Sequence, residues 1–431
     1  MFTTYEDVLA YLYASIPMFQ RVGASAYKGD LTNTIQLCEA AGNPQLKFKS
    51  VHVGGTNGKG STSHMLASVL QQAGYKTGLY TSPHLKSFTE RIRLNGDEIT
   101  KEFVVDFINR LQPSIEAIKP SFFEVTVVMA FDYFASRGID VAVIEVGLGG
   151  RLDSTNVVTP ELSVITNIGW DHMDLLGDTL ERIASEKAGI IKKNVPVVVS
   201  EKQKEVEGVF IETAAKNNAP IFFATDDYTV KWQTGQRMPL MDAWRKGVKF
   251  MEDVSLPMQG YYQQQNVAGV LKALELLNDA GFSINHDTII AGLKNVITNT
   301  HLKGRWQKLG ERPLMICDTG HNIDGMQQLV RQIQDQSFDK LYMVIGMVKD
   351  KDITKVLELL PKDATYYFCQ ADLPRALDAE LLAEQASKAG LTGVVVRDVN
   401  EAIRTARSRA SESDFIFIGG STFVVAEIEN L

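Results

Sequence analysis

The stretch Val51-His52-Val53-Gly54-Gly55-Thr56-Asn57-Gly58-Lys59-Gly60-Ser61-Thr62 constrains this chain more than any other. A short β-branched run leads into glycines around one lysine, and the Ala/Leu-rich run from Ser63 to Ala73 leads out. That order reads as strand, phosphate loop, helix. Glycines let backbone N–H groups turn inward toward an anion. The start of the following helix offers its positive end to the same anion. Lys59 adds a mobile charge for β- and γ-phosphates, and the hydroxyl of Ser61 or Thr62 can ligate Mg²⁺. The common P-loop pattern has glycine where Val53 stands and Ser or Thr where Gly60 stands. A glycine-rich turn with an incidental lysine is the plain alternative, and the element order argues against it.

Other strands point to the same edge. The run Thr77–Tyr80 ends at Thr81-Ser82-Pro83-His84, Val141–Val146 carries Glu145 near its end, and Leu162–Ile168 is followed by Gly169-Trp170-Asp171-His172. Ligands of parallel sheets sit beyond the carboxyl ends of strands. A buried carboxylate such as Glu145 is costly unless a cation pairs with it. Ser82, Glu145 and His172 therefore read as a Mg²⁺ site beside Lys59; for Glu145 an unrelated buried ion pair is the alternative. Arg91 and Arg93 follow in a charged loop. Either they meet a substrate carboxylate or they belong to a solvated hairpin.

The loop sequence resembles the Mur-type ATP-dependent amide ligases, and within them the folylpolyglutamate synthase/dihydrofolate synthase group. The resemblance runs from about Gly29 to Ser421. It implies metal ligation at Ser82, Glu145 and His172. It implies a carbamate on Lys187, which would hold a second Mg²⁺; without it, Lys187 reads as a helix-face charge. Gly260-Tyr261-Tyr262-Gln263-Gln264-Gln265-Asn266 is similar to the family's Gly-x-His-Gln-x-x-Asn, with Tyr262 in the histidine place and Asn266 near the nucleotide. Gly304-Arg305 matches the end of a Trp-Pro-Gly-Arg segment, so the resemblance sends Arg305 to the ATP phosphates. Asp318 and His321 match a nucleotide-facing Asp-Gly-Ala-His-Asn-Pro. Gly346 through Asp350-Lys351-Asp352, Pro374-Arg375-Ala376-Leu377 and Gly420-Ser421 are weaker matches.

The expected architecture is α/β. A P-loop ATP-binding domain with a mainly parallel sheet spans 1–297, with N-terminal helices and a β-rich excursion at about 228–256. A linker at 298–303 leads to a smaller Rossmann-like α/β domain at 304–431. A chain of 431 residues is long for one core. Acidic residues outnumber basic ones, 52 to 44, for a net charge of −8; that argues against a nucleic-acid partner. Three separated cysteines provide neither a disulfide framework nor zinc spacing. With no signal core near Met1 and no long apolar run, no membrane is expected and the cytoplasm is the expected compartment; the resemblance implies a monomer.

The implied reaction joins L-glutamate to a dihydropteroate or reduced-folate carboxylate through an acyl phosphate, using ATP and two Mg²⁺. Expected ATP contacts are Thr56, Asn57, Gly58, Lys59, Gly60, Ser61, Thr62, Asn266, Arg305, Asp318 and His321. Lys59, Lys187 and Arg305 are the catalytic candidates, and Arg91 is the substrate candidate. Another Mur-type amino-acid ligase, or a nucleotide-gated binding module, is the alternative.

Overall fold

The computed structural model describes residues 1–17, 29–233, 239–349 and 353–431. The Asp350-Lys351-Asp352 turn lies outside them. The chain gathers into two compact units, Met1–Pro257 with Gln263–His301, and Met258–Tyr262 with Leu302–Leu431.

The first unit is built on β1 (Lys49–Gly54), β2 (Thr77–Tyr80), β3 (Ile92–Leu94), β4 (Asp97–Glu98), β5 (Val141–Glu145), β6 (Leu162–Ile165), β7 (Val197–Val199) and β8 (Ile221–Phe223). Their order is β4-β3-β2-β5-β1-β6-β7-β8. β2, β5, β1, β6, β7 and β8 run parallel, while β3 and β4 fold back as an antiparallel edge. Continuous apolar runs such as Val141-Ala142-Val143-Ile144 form central strands because both sheet faces are covered. The helix Lys59–Gln72 is buried along nearly its whole length. The helix Phe122–Arg137 starts at a capping box. Ser121 Oγ accepts from the Glu124 N–H at 3.3 Å, and Glu124 Oε2 accepts from the Ser121 N–H at 2.6 Å. Its Phe131 and Phe134, with Phe107 from Lys101–Ile118, are fully buried, each contributing roughly 2–3 kcal/mol of apolar burial.

The excursion is an antiparallel sheet, β9 (Tyr228–Trp232), β10 (Met241–Arg245) and β11 (Val248–Val254). Lys272, on the helix Gln263–Asp279, ties it down by reaching Asp227 at 2.7 Å, just before β9, while pairing at 2.9 Å with Glu275 of its own helix, which accepts from the Tyr228 O–H at 2.8 Å.

The second unit contains β12 (Gln307–Glu311), β13 (Leu314–Cys317), β14 (Leu341–Ile345), β15 (Thr365–Phe368), β16 (Gly393–Val395) and β17 (Phe415–Gly419), ordered β12-β13-β17-β14-β15-β16. All neighbours are parallel except β12, an antiparallel edge strand with an irregularity before Gly310. Phe415 and Phe417 are at the core of this unit.

Candidate active site

Four neighbouring strands, β2, β5, β1 and β6, end on one edge of the first sheet. Strand spacing of about 4.8 Å spreads those ends over roughly 14 Å, a span suited to a triphosphate. The register places Val53 beside both Glu145 and Val164, so the loop leaving β1 sits at the centre.

That loop is pinned from β6. The Thr56 N–H donates to the Asn167 carbonyl at 2.8 Å, and the Asn57 N–H to Asn167 Oδ1 at 2.9 Å. Thr166 Oγ1 donates to the Asn57 carbonyl at 2.6 Å. Gly58 caps the helix Lys59–Gln72 at φ 87°, a left-handed value that favours glycine. Space demands glycine there too, since a Cβ would lie 2.2 Å from Asn266 Oδ1. Asn266 Nδ2 in turn donates to Gln263 Oε1 at 2.8 Å, and Gln263 Nε2 to Ser61 Oγ at 3.1 Å. Thr166, Asn167 and Gln263 were not legible as site residues. The first two lie more than a hundred residues from the loop they hold, and no local pattern marks them.

Two ammonium groups meet on one carbonyl. Lys59 Nζ donates to Gly55 O at 3.1 Å and Thr56 O at 3.0 Å, and Lys187 Nζ donates to the same Gly55 O at 2.9 Å. Lys187 is 4 % exposed. Burial, then the Lys59 charge, push its pKa down to about 7. The reading of Lys187 as a plain helix-face charge fails, because the side chain points inward. Gly150 allows that approach: a Cβ there would lie within 2.9 Å of the Lys187 backbone.

Ser82 and Glu145 are brought together: the Ser82 N–H donates to Glu145 Oε2 at 3.0 Å, and Glu145 is buried. His172 follows β6 in a left-handed conformation, φ 51°, with its Nε2 3.7 Å from Asp171 Oδ2. Among the described residues, no group of three or more His, Cys, Asp or Glu gathers as a metal centre; of the expected ligands only Glu145 and His172 are of those types. A buried carboxylate next to a serine still fits a hard, oxygen-seeking cation such as Mg²⁺.

Arg91 and Arg93 are buried, not part of a solvated hairpin. Arg91 Nε donates to His84 Nδ1 at 2.7 Å and its guanidinium lies 5.4 Å from the centre of the Phe122 ring. Arg93 bonds the Glu90 carbonyl and pairs with Glu98 at 3.4 Å. Burial and then Arg91 hold the His84 imidazole far down, at about 3, so it stays neutral.

In the second unit, Asp318 follows β13 and is buried. Its Oδ2 accepts from Tyr262 O–H at 2.7 Å and Trp306 N–H at 2.6 Å, and its Oδ1 from Gly320 N–H at 2.8 Å. Burial pushes the Asp318 carboxyl up, against the opposing pull of Arg305 and these donors. His321 Nδ1 lies 3.0 Å from the Thr319 carbonyl. Arg305 Nη1 donates to the Gly304 carbonyl at 3.3 Å.

A parallel sheet with a glycine-and-lysine phosphate loop, in one chain with a Rossmann-like α/β unit, defines a P-loop nucleotide-binding protein. Comparison with known proteins narrows the class. Residues 53–274 match the Mur ligase middle domain and residues 304–422 the Mur ligase glutamate ligase domain. The chain is 32 % identical over 437 residues to the dihydrofolate synthase/folylpolyglutamate synthase of Bacillus subtilis, covering 99 % of each. It is 32 % identical to the Escherichia coli protein of the same name, over 87 % of this chain and 85 % of that one. The structure of E. coli FolC with DHPP and ADP superposes with a TM-score of 0.86 at 29 % identity, covering 98 % and 96 % of the two chains. The Yersinia pestis bifunctional synthase with AMPPNP and Mn ion gives 0.82 at 29 % identity, covering 98 % and 97 %. The chain belongs to the Mur ligase family, in its folylpolyglutamate synthase/dihydrofolate synthase group. It is accordingly an ATP-dependent ligase that forms a carbon–nitrogen bond.

Proposed function

We propose that this ligase joins L-glutamate to the carboxylate of dihydropteroate or a reduced folate. The observation that carries the reading is the meeting of Lys59 and Lys187 on the Gly55 carbonyl. Two lysine amino groups on one carbonyl, that of Lys187 buried and that of Lys59 partly exposed, call for an anion when both are charged. A triphosphate in the loop supplies one, and a carbamate on Lys187 supplies another. A lysine pushed down to about 7 spends much of its time as the neutral amine that attacks CO₂. The nitrogen–carbon bond then forms and one proton leaves.

The substrate carboxylate attacks the γ-phosphorus of ATP, and ADP departs. The glutamate amine attacks the resulting acyl phosphate, and phosphate departs with the acyl carbon now in an amide. Activation is needed because a free carboxylate is a poor acyl donor. The backbone from Thr56 to Thr62 and the Lys59 ammonium cradle the phosphates. Asn266, Asp318 and His321 are assigned to the nucleotide, and Arg305 to the charge that grows on the transferring phosphoryl group. Ser82, Glu145, His172 and carbamylated Lys187 are assigned to two Mg²⁺ ions. When bound, these ions neutralise phosphate charge and polarise the γ-phosphoryl group. Arg91 is assigned to a substrate carboxylate.

We propose further that the protein acts in the cytoplasm as a monomer on small molecules alone. Among the described residues, no helix is long and apolar enough to cross a membrane. The test is ADP release in the presence of ATP. It should require both a pteroate-type acid and glutamate; release indifferent to both would favour a nucleotide-gated module.

A further inference from the structure

Trp306 adopts φ 45°, a left-handed backbone that a bulky aromatic residue rarely takes. Strain of this kind persists only where the surroundings over-determine it, and it gathers at functional positions. Here the surroundings can be named. Trp306 is 5 % exposed, with its ring 6.4 Å from Phe415 and 6.5 Å from Phe417. Its N–H is held by Asp318 Oδ2. Just before it, the Gly304 N–H donates to Gln307 Oε1 at 2.7 Å and the Gly304 carbonyl accepts from the Thr319 N–H at 3.1 Å. Arg305 is therefore clamped on both sides by fixed backbone.

The clamp depends on how Asp318 is turned. A carboxylate has about four acceptor sites, and three are filled by Tyr262, Trp306 and Gly320. Among the described residues the remaining site, on Oδ1, takes no protein donor, which leaves room for one hydroxyl donor of a ligand. Tyr262 is the only side chain among these three donors, and it holds the rotation of the carboxylate plane, so that one oxygen stays turned to Trp306 and the other to Gly320. Burial and Asp318 push the Tyr262 phenol well up, so it remains a donor at working pH. The segment Met258–Tyr262 belongs to the second unit although the residues on either side of it in sequence do not. It is anchored there again by the Tyr261 N–H on Gln332 Oε1 at 2.8 Å, and by Gln332 Nε2 on the Gln259 carbonyl at 2.8 Å.

We propose that Tyr262 is a positioning residue: through Asp318 its hydroxyl sets both the open acceptor site of that carboxylate and the strained turn that aims Arg305. The inference rests on the reading of Asp318 and Arg305 as nucleotide-facing.

The experiment is a mutant cycle on the full chain, read as kcat and KM for ATP with saturating acid and glutamate. Melting curves run alongside to confirm folding. Tyr262→Phe should lower kcat/KM for ATP about tenfold, as expected for one lost hydrogen bond to a charged group. Asp318→Asn should lower it further. The double variant should be no worse than Asp318→Asn alone, since the phenol acts only through the carboxylate. Tyr262→His, which keeps a ring N–H donor, should recover most of the loss. It carries the test if Tyr262→Phe does not fold. A Tyr262→Phe enzyme within twofold of wild type, additive losses in the double variant, or no recovery with histidine would overturn the proposal. An Asp318→Asn enzyme at wild-type rate would instead sink the nucleotide reading of Asp318.

Discussion

Alanine at Gly58 is the sharpest perturbation of the phosphate loop. Two costs arise. The first is backbone strain at φ 87°, about 1 kcal/mol for a residue with a Cβ. The second is steric, because the new Cβ would lie 2.2 Å from Asn266 Oδ1 and 2.9 Å from its Cγ. Asn266 is only 4 % exposed, so it must swing away and lose its 2.8 Å bond to Gln263, at about 1 kcal/mol or more. The sum, about 2–3 kcal/mol, should lower the melting temperature by roughly 3–5 °C for a unit of this size. Function should suffer more, because the loop and Asn266 are both assigned to ATP. A fall of about 100-fold in kcat/KM for ATP corresponds to about 2.7 kcal/mol. Gly74→Ala is the control. Gly74 has φ 90°, but a methyl added there would meet nothing within 4 Å, so it bears the strain without the clash. It should lose about 1 kcal/mol of stability and keep wild-type kcat/KM, measured by coupled ADP release. Equal kinetic effects at the two glycines, or none at Gly58, would refute the reasoning.

Other outcomes follow from the same geometry. Glu145→Gln keeps an acceptor for the Ser82 N–H but loses the charge, so turnover should fall by at least about 100-fold with an unchanged melting curve; near-normal turnover would remove Glu145 from the metal site. Lys187→Arg keeps a cation but cannot form a carbamate. It should lose activity and the carbamate carbonyl resonance that ¹³C-bicarbonate gives in the wild type. With the amine pushed down to about 7, its neutral fraction grows with pH, so that signal should strengthen from about pH 6 to 8. Lys272→Met should cost about 1–3 kcal/mol at neutral pH, discounted because its partners are partly exposed. Asp227 is held below the usual carboxylate range by its bond to Lys272. At Glu275 burial pushes up, but Lys272 and Tyr228 outweigh it. Depressed carboxylates contribute stability above their unfolded pKa and lose it as pH falls through the folded one. Urea melts should therefore show a shallower loss of stability below about pH 4 in Lys272→Met than in wild type.

The first unit was legible where its chemistry is local. Glycines and a lysine within twelve residues mark the loop, and apolar runs such as Val141–Ile144, closed by Glu145, show which residues must sit at strand tips. The edge strand β12 escaped because Gln307-Lys308-Leu309-Gly310-Glu311 is polar and interrupted, and its pairing is set by β13. The burial of Arg91 and Arg93 escaped for a similar reason: their partners His84, Glu90 and Glu98 are as polar as those of a solvated hairpin. Trp232, Trp244 and Met251 in the excursion read as core from their size and apolarity, but Trp232 and Trp244 are half-buried, with Lys249 5.5 Å from the Trp244 ring, and only Met251 is buried. The bond from Tyr262 to Asp318 spans 56 residues, and only tertiary folding reveals it.

The most direct measurement is incorporation of labelled L-glutamate, with dihydropteroate and tetrahydrofolate supplied side by side. Incorporation with at least one of them, dependent on ATP, matched by ADP release and abolished in Lys59→Ala, is the predicted result. Glutamate transfer that proceeds without ATP, or that survives loss of the Lys59 ammonium at the wild-type rate, would contradict the account.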